Sequence, residues 1–211
     1  MGDYRKGVDY RDGGEIEIDD LGKPLSLLDS WISEAKEKGL VEPNAMSIST
    51  VSSSGSPRSR MVLLKLVEGD EIGFFTNLES DKSLEIAGCD SVAVTMWWPE
   101  MERQVRIEAH RVSDGEIASR GVPPQQVQEE QNRRMGLRTE SGDGLEGRPE
   151  KEVPGVRVEV RGGRGPPPSS LGGIRITVNR GEYWSGRPSR LHERIVLERE
   201  SETWSQKRLY P

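Results

Sequence analysis

The stretch RMVLLKLVEGDEIGFFTN, residues 60–77, holds two apolar runs on either side of a polar turn. The runs 60–67 and 72–77 read as strands, and EGDE is the turn between them. The same pattern continues along the chain, and many short strands with few helices predict an antiparallel barrel or sandwich. The other predicted strands are 45–51, 92–98, 103–112, 173–178, 182–184, 193–200 and 203–210.

Two helices interrupt the strand pattern. The first begins at Pro24, a favoured first-turn residue, and Gly39 is suited to end it. A shorter helix over 80–88 follows the 72–77 strand, with Ser80 as its predicted N-cap. We expect residues 1–23 to form a flexible polar arm. The apolar stripe of the first helix consists of Leu25, Leu28, Ile32 and Ala35.

The overall composition restricts the class of protein. A chain of 211 residues can bury one sizeable core, and its net charge of −6 argues against a general nucleic-acid binder. The one cysteine, Cys89, excludes an internal disulfide and a cysteine-rich zinc site, and we expect no metal. The sequence shows neither a signal-like apolar run nor a stretch of transmembrane length. We therefore expect a soluble cytoplasmic protein without a membrane partner.

The segment 121–171 departs from the strand pattern. It has almost no large apolar residues and no sustained period, so its composition predicts disorder. A loop of this length inside a compact domain is itself unusual. We therefore divide the chain into the arm 1–23, a first barrel part 24–120, a disordered or aberrant segment 121–171 and C-terminal barrel strands 172–211.

The stretch SGRPSRLHER, residues 185–194, concentrates three arginines and one of the two histidines of the chain. On a strand, Arg190, His192 and Arg194 would share one face, and Glu193 would point to the other. Cationic groups on one face without an acid repel each other. The stretch therefore predicts a site for an anion.

Three other stretches carry candidate ligand groups, and each also has an ordinary structural explanation. Thr76, Ser80 and Lys82 surround the start of the short helix, where a phosphate binds well, but a capped helix with a solvated lysine fits equally. Gln104 offers a donor and an acceptor to a heterocycle edge, or is a surface glutamine. Arg60 and Lys65 flank the apolar residues of one run, as in any strand with charged ends.

Taken in order, these stretches resemble the pyridoxine (pyridoxamine) 5′-phosphate oxidase family. The resemblance covers about 24–118 and 172–211, and rests on EPNAM, SRMVLLK, FFTN with the following Ser80 and Lys82, RQVRIE, GGIRI, EYWSGRPSRLHER and a terminal RLYP. It implies a split β-barrel that forms a homodimer, with FMN bound across the subunit interface. It also implies oxidation of pyridoxine or pyridoxamine 5′-phosphate to pyridoxal 5′-phosphate, with O2 reduced to hydrogen peroxide.

The resemblance further implies roles for individual residues. Arg190 and His192 would be the catalytic residues, and they would position the substrate against the flavin more than remove a proton. Lys82 would serve the FMN phosphate, and Gln104 the isoalloxazine. The substrate-binding residues would be Lys65, Arg190, Leu191 and His192. The FMN-binding residues would be Arg60, Met61, Val62, Leu63, Leu64, Lys65, Phe75, Thr76, Lys82, Gln104, Trp184 and Arg194.

Two features depart from the family pattern. Asp81 precedes Lys82 where the family has a basic residue, and an aspartate beside the FMN phosphate weakens binding unless it turns outward. The block that supplies a substrate-phosphate Tyr, Arg and Ser and a flavin-binding Gln-Ser pair is missing after Arg120. Codons for 121–141, read one nucleotide later, can encode that block. We hypothesise a frame error, with a genuine disordered insertion as the alternative, and expect the chain as written to be a poor oxidase.

Three functions remain open on the sequence. The first is an FMN-dependent oxidase of vitamin B6 salvage, and the second is a non-catalytic split barrel that binds a flavin or pyridoxal phosphate. The third is a folding-defective product without activity. Bound flavin separates the first two from the third, and peroxide release on addition of pyridoxine phosphate separates the first from the second.

Overall fold

The structure is a computed structural model that describes residues 10–111 and 171–210. The described part has two α-helices, α1 (Ser26–Glu37) and α2 (Asp81–Gly88). All but the last residue of the segment 121–171 lies outside it, so the predicted disorder and the frame hypothesis remain predictions. The strands are β1 (Ala45–Val51), β2 (Pro57–Glu68), β3 (Glu71–Asn77), β4 (Ser91–Trp98), β5 (Arg103–Arg111), β6 (Leu171–Ser185), β7 (Glu193–Glu200) and β8 (Thr203–Leu209).

The strands form one antiparallel sheet that closes on itself. Their order is β3-β2-β1-β4-β5-β6-β7-β8, and β3 also pairs with β6. This extra pairing closes a barrel of six strands, whereas β7 and β8 extend the sheet beyond β6. Where the barrel closes, Thr76 lies opposite Gly172, and a Cβ at Gly172 would approach Leu78 to 2.8 Å. The mainly-β split barrel expected from the sequence is confirmed.

Alternating residues of the strands fill the barrel. Val92, Val94, Met96 and Trp98 of β4 are all at most 4% exposed, as the period of two predicts for a strand with one buried face. The runs 173–178 and 182–184, which the sequence predicts as separate strands, belong to the single strand β6. A register shift against β5 near Asn179 lets this strand continue.

Helix α1 packs on the barrel through an apolar stripe. Leu28 and Ala35 are buried, in agreement with the predicted stripe, whereas Ile32 is only partly buried. Trp31, which the predicted stripe omits, is 3% exposed. Its ring meets that of Tyr183 edge-on at a centroid distance of 5.5 Å. The helix therefore anchors to β6 through an aromatic contact.

The segment before α1 differs from the expected flexible arm, because residues 10–23 contact the barrel. Ile16 is 1% exposed and belongs to the core. The backbone N–H of Gly13 donates to the carbonyl of Gly186 at 2.8 Å, and Ser185 Oγ donates to the carbonyl of Gly14 at 2.7 Å. A Cβ at Gly13 would lie 2.7 Å from the backbone carbonyl oxygen of Glu102 and 2.5 Å from Ser185 Oγ, so this close approach requires glycine. The segment thus lies against the stretch 185–194.

Candidate functional site

Four polar or aromatic side chains lie next to each other on the outer face of the barrel wall. The strand register pairs Trp97 with Gln104, Gln104 with Trp184, and Trp184 with Arg194. Residues directly opposite on antiparallel strands point to the same face, with Cβ atoms about 5 Å apart. Gln104, Trp184 and Arg194 of the predicted FMN set lie on three different strands, β5, β6 and β7, and the sheet brings them together. We call them, with Trp97, the cross-strand row.

A buried carboxylate holds the arginine of the cross-strand row. Glu182 is 2% exposed, and its Oε1 accepts a hydrogen bond from Arg194 Nε at 2.9 Å. Its Oε2 accepts one from Arg106 and lies 3.5 Å from Arg180 Nη2. Burial acts to raise the pKa of this carboxyl, but hydrogen bonds from Arg106 and Arg194 outweigh it and leave the pKa below its usual range.

The stretch 185–194 is not a strand, so the predicted alternation of its cations is wrong. Pro188–Arg190 form a 3-10 turn, and β7 begins only at Glu193. Ser189 and Arg190 have φ of 59° and 61°, in the left-handed region that non-glycine residues rarely adopt. Arg190 is exposed at this turn, next to an exposed Leu191.

Two of the three arginines of this stretch, Arg187 and Arg194, have acidic partners, whereas the predicted strand face carried no acid. Arg187 forms ion pairs with Asp12 and with the buried Glu193, the latter at 3.0 Å. Glu193 also accepts the backbone N–H of Ile16 at 3.2 Å and pairs with Arg208 at 2.5 Å. Clustered positive charge alone is therefore no argument for a bound anion here.

His192 lies against the aromatic end of the cross-strand row. Its ring centroid is 4.8 Å from that of Trp184 and 5.3 Å from that of Tyr10. Its Nδ1 accepts the backbone N–H of Arg187 at 3.2 Å, so the neutral ring carries its proton on Nε2. Tyr10 and Trp97 are the residues of this aromatic end that sequence reasoning missed. The only signal for Tyr10 is the Gly13–Gly14 pair that attaches its segment.

A cleft of about 460 Å³ opens beside His192. Lys65 and Arg190, which the resemblance assigns to the substrate together with His192, are not among the lining residues of this cleft. Their substrate role remains a prediction. The cleft is lined by Glu15, Arg187, Leu191, His192, Glu193, Arg208, Leu209 and Tyr210.

The groups predicted to receive a phosphate do converge at the start of α2. Lys82 Nζ donates to Thr76 Oγ1 at 2.8 Å and to Ser80 Oγ at 3.1 Å. Ser80 occupies the N-cap position, but its hydroxyl donates to the carbonyl of Asn77 and makes no capping bond. The side chain of Asp81 is 82% exposed and lies 3.5 Å from Arg58. The Asp81 carboxylate therefore points outward. In this orientation it does not repel a phosphate bound at the start of α2.

The remaining predicted FMN residues lie on β2 and β3. Met61 is 65% exposed, whereas Leu64 is 4% exposed and packs in the core, so only its backbone can touch a ligand. Lys65 falls at a register shift between Leu64 and Leu66, and such bulges redirect a side chain. Val62 and Leu63 are half-buried. Phe75 and Thr76 are buried next to the closing pair with β6.

The described ranges 10–111 and 171–210 hold no group of three or more His, Cys, Asp or Glu side chains placed to bind a metal ion. In the same ranges, neither helix is long and apolar enough to cross a membrane.

Two family models match the chain. The model for pyridoxamine 5′-phosphate oxidase matches residues 32–143, and the model for the pyridoxine 5′-phosphate oxidase C-terminal dimerisation region matches 172–211. The pyridoxine/pyridoxamine 5′-phosphate oxidase of Leptospira biflexa is 40% identical over 196 residues, which is 89% of each chain. The enzyme of that name from Thermosynechococcus vestitus is 36% identical over 211 residues, which is 96% of each chain.

Solved structures share the fold at lower identity. PhzG from Burkholderia lata 383, solved with tetrahydrophenazine-1-carboxylic acid, has a TM-score of 0.63 at 21% identity and covers 90% of this chain and 93% of its own. A pyridoxamine 5′-phosphate oxidase-related, FMN-binding protein from Nostoc punctiforme has a TM-score of 0.58 at 16% identity, covering 89% and 98%. Because two family models match it and curated relatives at 36–40% identity cover most of its length, the chain belongs to the pyridoxine/pyridoxamine 5′-phosphate oxidase family.

Proposed function

We propose that this protein binds FMN and oxidises pyridoxine or pyridoxamine 5′-phosphate to pyridoxal 5′-phosphate, with O2 as the electron acceptor. The observation that carries the proposal is the cross-strand row, in which Gln104, Trp184 and Arg194 lie side by side although they are up to 90 residues apart. Family membership supports the same reaction class.

The chemistry of the donor set fits a phosphorylated flavin. The Gln104 amide offers a donor and an acceptor for the edge of the isoalloxazine, and Trp184 offers an aromatic wall. Lys82 and Thr76 lie together at a helix N-terminus, where a phosphate is favoured. A bound flavin would supply the acceptor for the substrate hydride, and the protein would supply binding and orientation.

The substrate would bind where the 185–194 stretch meets the aromatic rings. His192, fixed through its Nδ1, would present Nε2–H as a donor to the substrate. Arg190, on its strained and exposed turn, would reach a substrate held against the flavin of the second subunit. Tyr10 lies edge-on to both Trp184 and His192 and would exclude water from that end. We propose the homodimer because residues 172–211, which carry Arg190 and His192, match the C-terminal dimerisation region of this family.

The proposal is tested by the absorbance of the purified protein and by peroxide release. We expect flavin absorption bands after incubation with FMN, and peroxide on addition of pyridoxine 5′-phosphate but not of unphosphorylated pyridoxine. His192→Ala should lower turnover at least about tenfold, because it removes one positioned donor. His110→Ala, which changes an exposed histidine on β5, is the matched control and should leave turnover unchanged. Bound flavin without peroxide release would favour the non-catalytic alternative instead.

A further inference from the structure

Glu85 lies at the junction of three elements at the phosphate end of the candidate site. It belongs to α2 and is 7% exposed. Its Oε2 accepts hydrogen bonds from Thr50 on β1 and from Arg60 on β2, the latter at 2.9 Å. Its Oε1 accepts one from Arg58 Nη1, also at 2.9 Å. One carboxylate therefore connects α2 to the two strands that follow each other in the barrel wall.

The strand geometry explains why both arginines reach this carboxylate. Arg58 and Arg60 are two positions apart on β2, so their side chains leave the same face. The register places Arg58 directly opposite Thr50, whose hydroxyl lies between Arg60 and Glu85. Helix α2 lies over this face, and its Glu85 side chain contacts both arginines and Thr50. Sequence reasoning missed Glu85, because its partners lie 25 to 35 residues away.

These contacts fix the orientation of Arg60. Its guanidinium donates to Glu85, to Thr50 and to the carbonyl of Arg58. These bonds use three of the five N–H donors of an arginine, so two remain for a ligand. An exposed arginine loses side-chain entropy when it binds a phosphate, and this loss weakens binding. Arg60 is already held by its hydrogen bonds, so this loss is smaller for Arg60.

The same helix carries the lysine of the phosphate end. Lys82 precedes Glu85 by three residues, which is about one turn, and bonds Thr76. Glu85 therefore ties the helix that presents Lys82 to the strand that presents Arg60. The second carboxylate of this helix, Asp81, is exposed and lies 3.5 Å from Nη1 of Arg58, but it makes no contact with Arg60.

We propose that Glu85 is a positioning residue for the FMN phosphate: it holds Arg60 in the orientation in which Arg60 and Lys82 bind that phosphate together. The inference rests on the proposed binding of FMN. Two other roles for Glu85 are distinguishable from this one. If Glu85 mainly neutralised Arg60, its loss would strengthen phosphate binding, and if it only stabilised the fold, its loss would weaken all flavins alike.

The experiment compares FMN with riboflavin, which lacks the phosphate. Flavin is removed from the full-length protein, and each flavin is titrated back while the quenching of its fluorescence is followed. We expect Glu85→Gln to weaken FMN about 5- to 30-fold, since it removes the charge of one hydrogen bond to Arg60 but keeps an acceptor. Riboflavin should change less than about twofold, because it makes no use of Arg60 at the phosphate end.

Two further variants control the result. Thr50→Val keeps the shape of a buried side chain but removes the hydroxyl between Arg60 and Glu85, and should weaken FMN selectively, by less than Glu85→Gln. Asp81→Asn removes the exposed carboxylate of the same helix and should leave FMN affinity within about threefold. Circular dichroism establishes that each variant folds.

The outcomes separate this inference from the proposed function. Wild-type protein that binds no FMN refutes the proposed function and the inference with it. Wild-type protein that binds FMN, together with a Glu85→Gln variant that binds it equally or more tightly, refutes the positioning role alone. Equal weakening of FMN and riboflavin in both Glu85→Gln and Thr50→Val assigns these residues to the fold and also refutes it.

Discussion

Replacing Glu182 with glutamine should destabilise the barrel strongly. The carboxylate is 3% exposed at its side chain and accepts charge-assisted hydrogen bonds from Arg106 and Arg194. Each such bond contributes about 1.5–3 kcal/mol. Because Arg106 is 49% exposed and can turn to water, and because glutamine keeps one acceptor, we expect a loss of about 2–3 kcal/mol in the free energy of unfolding.

This loss is measurable by urea denaturation and by thermal melting. At about 2–4 °C per kcal/mol for a chain of this size, the Tm should fall by about 4–12 °C. The matched control is Glu198→Gln. Glu198 pairs with Arg180 and Lys207 on the same sheet, but its side chain is 36% exposed, so its loss should cost much less.

The pH dependence gives a second check on the same reasoning. The pKa of Glu182 in the folded protein lies below its ordinary value of 4.5. Its contribution is therefore present above pH 4.5 and is lost as the pH falls through the folded pKa. The stability gap between wild type and Glu182→Gln should be widest near pH 7 and close in acid. A gap below about 0.5 kcal/mol at pH 7, or one that does not shrink in acid, would refute the reasoning.

Three further predictions concern other parts of the chain. Gly13→Ala should detach the N-terminal segment and speed its proteolysis, because the new Cβ would lie 2.7 Å from the backbone carbonyl oxygen of Glu102, whereas Gly88→Ala, with open space at its Cβ, should not. Trp31→Ala should lower the free energy of unfolding by ~3–5 kcal/mol in a urea titration, and the half-buried Ile32→Ala by clearly less; similar losses would contradict the packing of α1 described above. A chain in which 121–171 carries the shifted-frame block should bind substrate about two to several orders of magnitude more tightly than the chain as written, and equal affinity and turnover would remove the functional consequence of the frame hypothesis.

The barrel strands were predictable because their apolar residues either alternate with polar ones or form short runs. The bounds predicted for β1 and β7 agree with the structure residue by residue: buried positions alternate along 45–51, and 193–200 holds the apolar run 195–197 between charged residues. The prediction that Arg190, His192 and Arg194 share one strand face was wrong for a local reason. Pro188 and two left-handed residues form a turn there, and side-chain periodicity carries no information on such backbone angles.

The site was predictable only where a motif is contiguous. The resemblance gave Gln104, Trp184 and Arg194, but their adjacency depends on the pairing of β5 with β6, which joins residues 80 apart and leaves no trace in the sequence. Asp12 and Glu182 were missed as partners of the arginines for the same reason, whereas Glu193 was placed on the opposite face because the stretch was treated as a strand. Packing of the N-terminal segment was missed for two reasons. Ile16, its buried residue, stands between acidic residues, and the backbone hydrogen bond of Gly13 has no side-chain signature.

The pairing of β6 with both β3 and β5 sets the order in which the nascent chain can complete its fold. Until β6 leaves the ribosome, β3 and β5 each have an unpaired edge, and both edges can pair with other chains. Residues 112–170 must be translated first, which takes about 3–12 s at 5–20 residues per second. During that interval five of the six barrel strands, β1–β5, form an open sheet with two unpaired edges. The yield of folded protein in the cell should therefore depend on chaperones that shield strand edges, and should improve at lower expression rates.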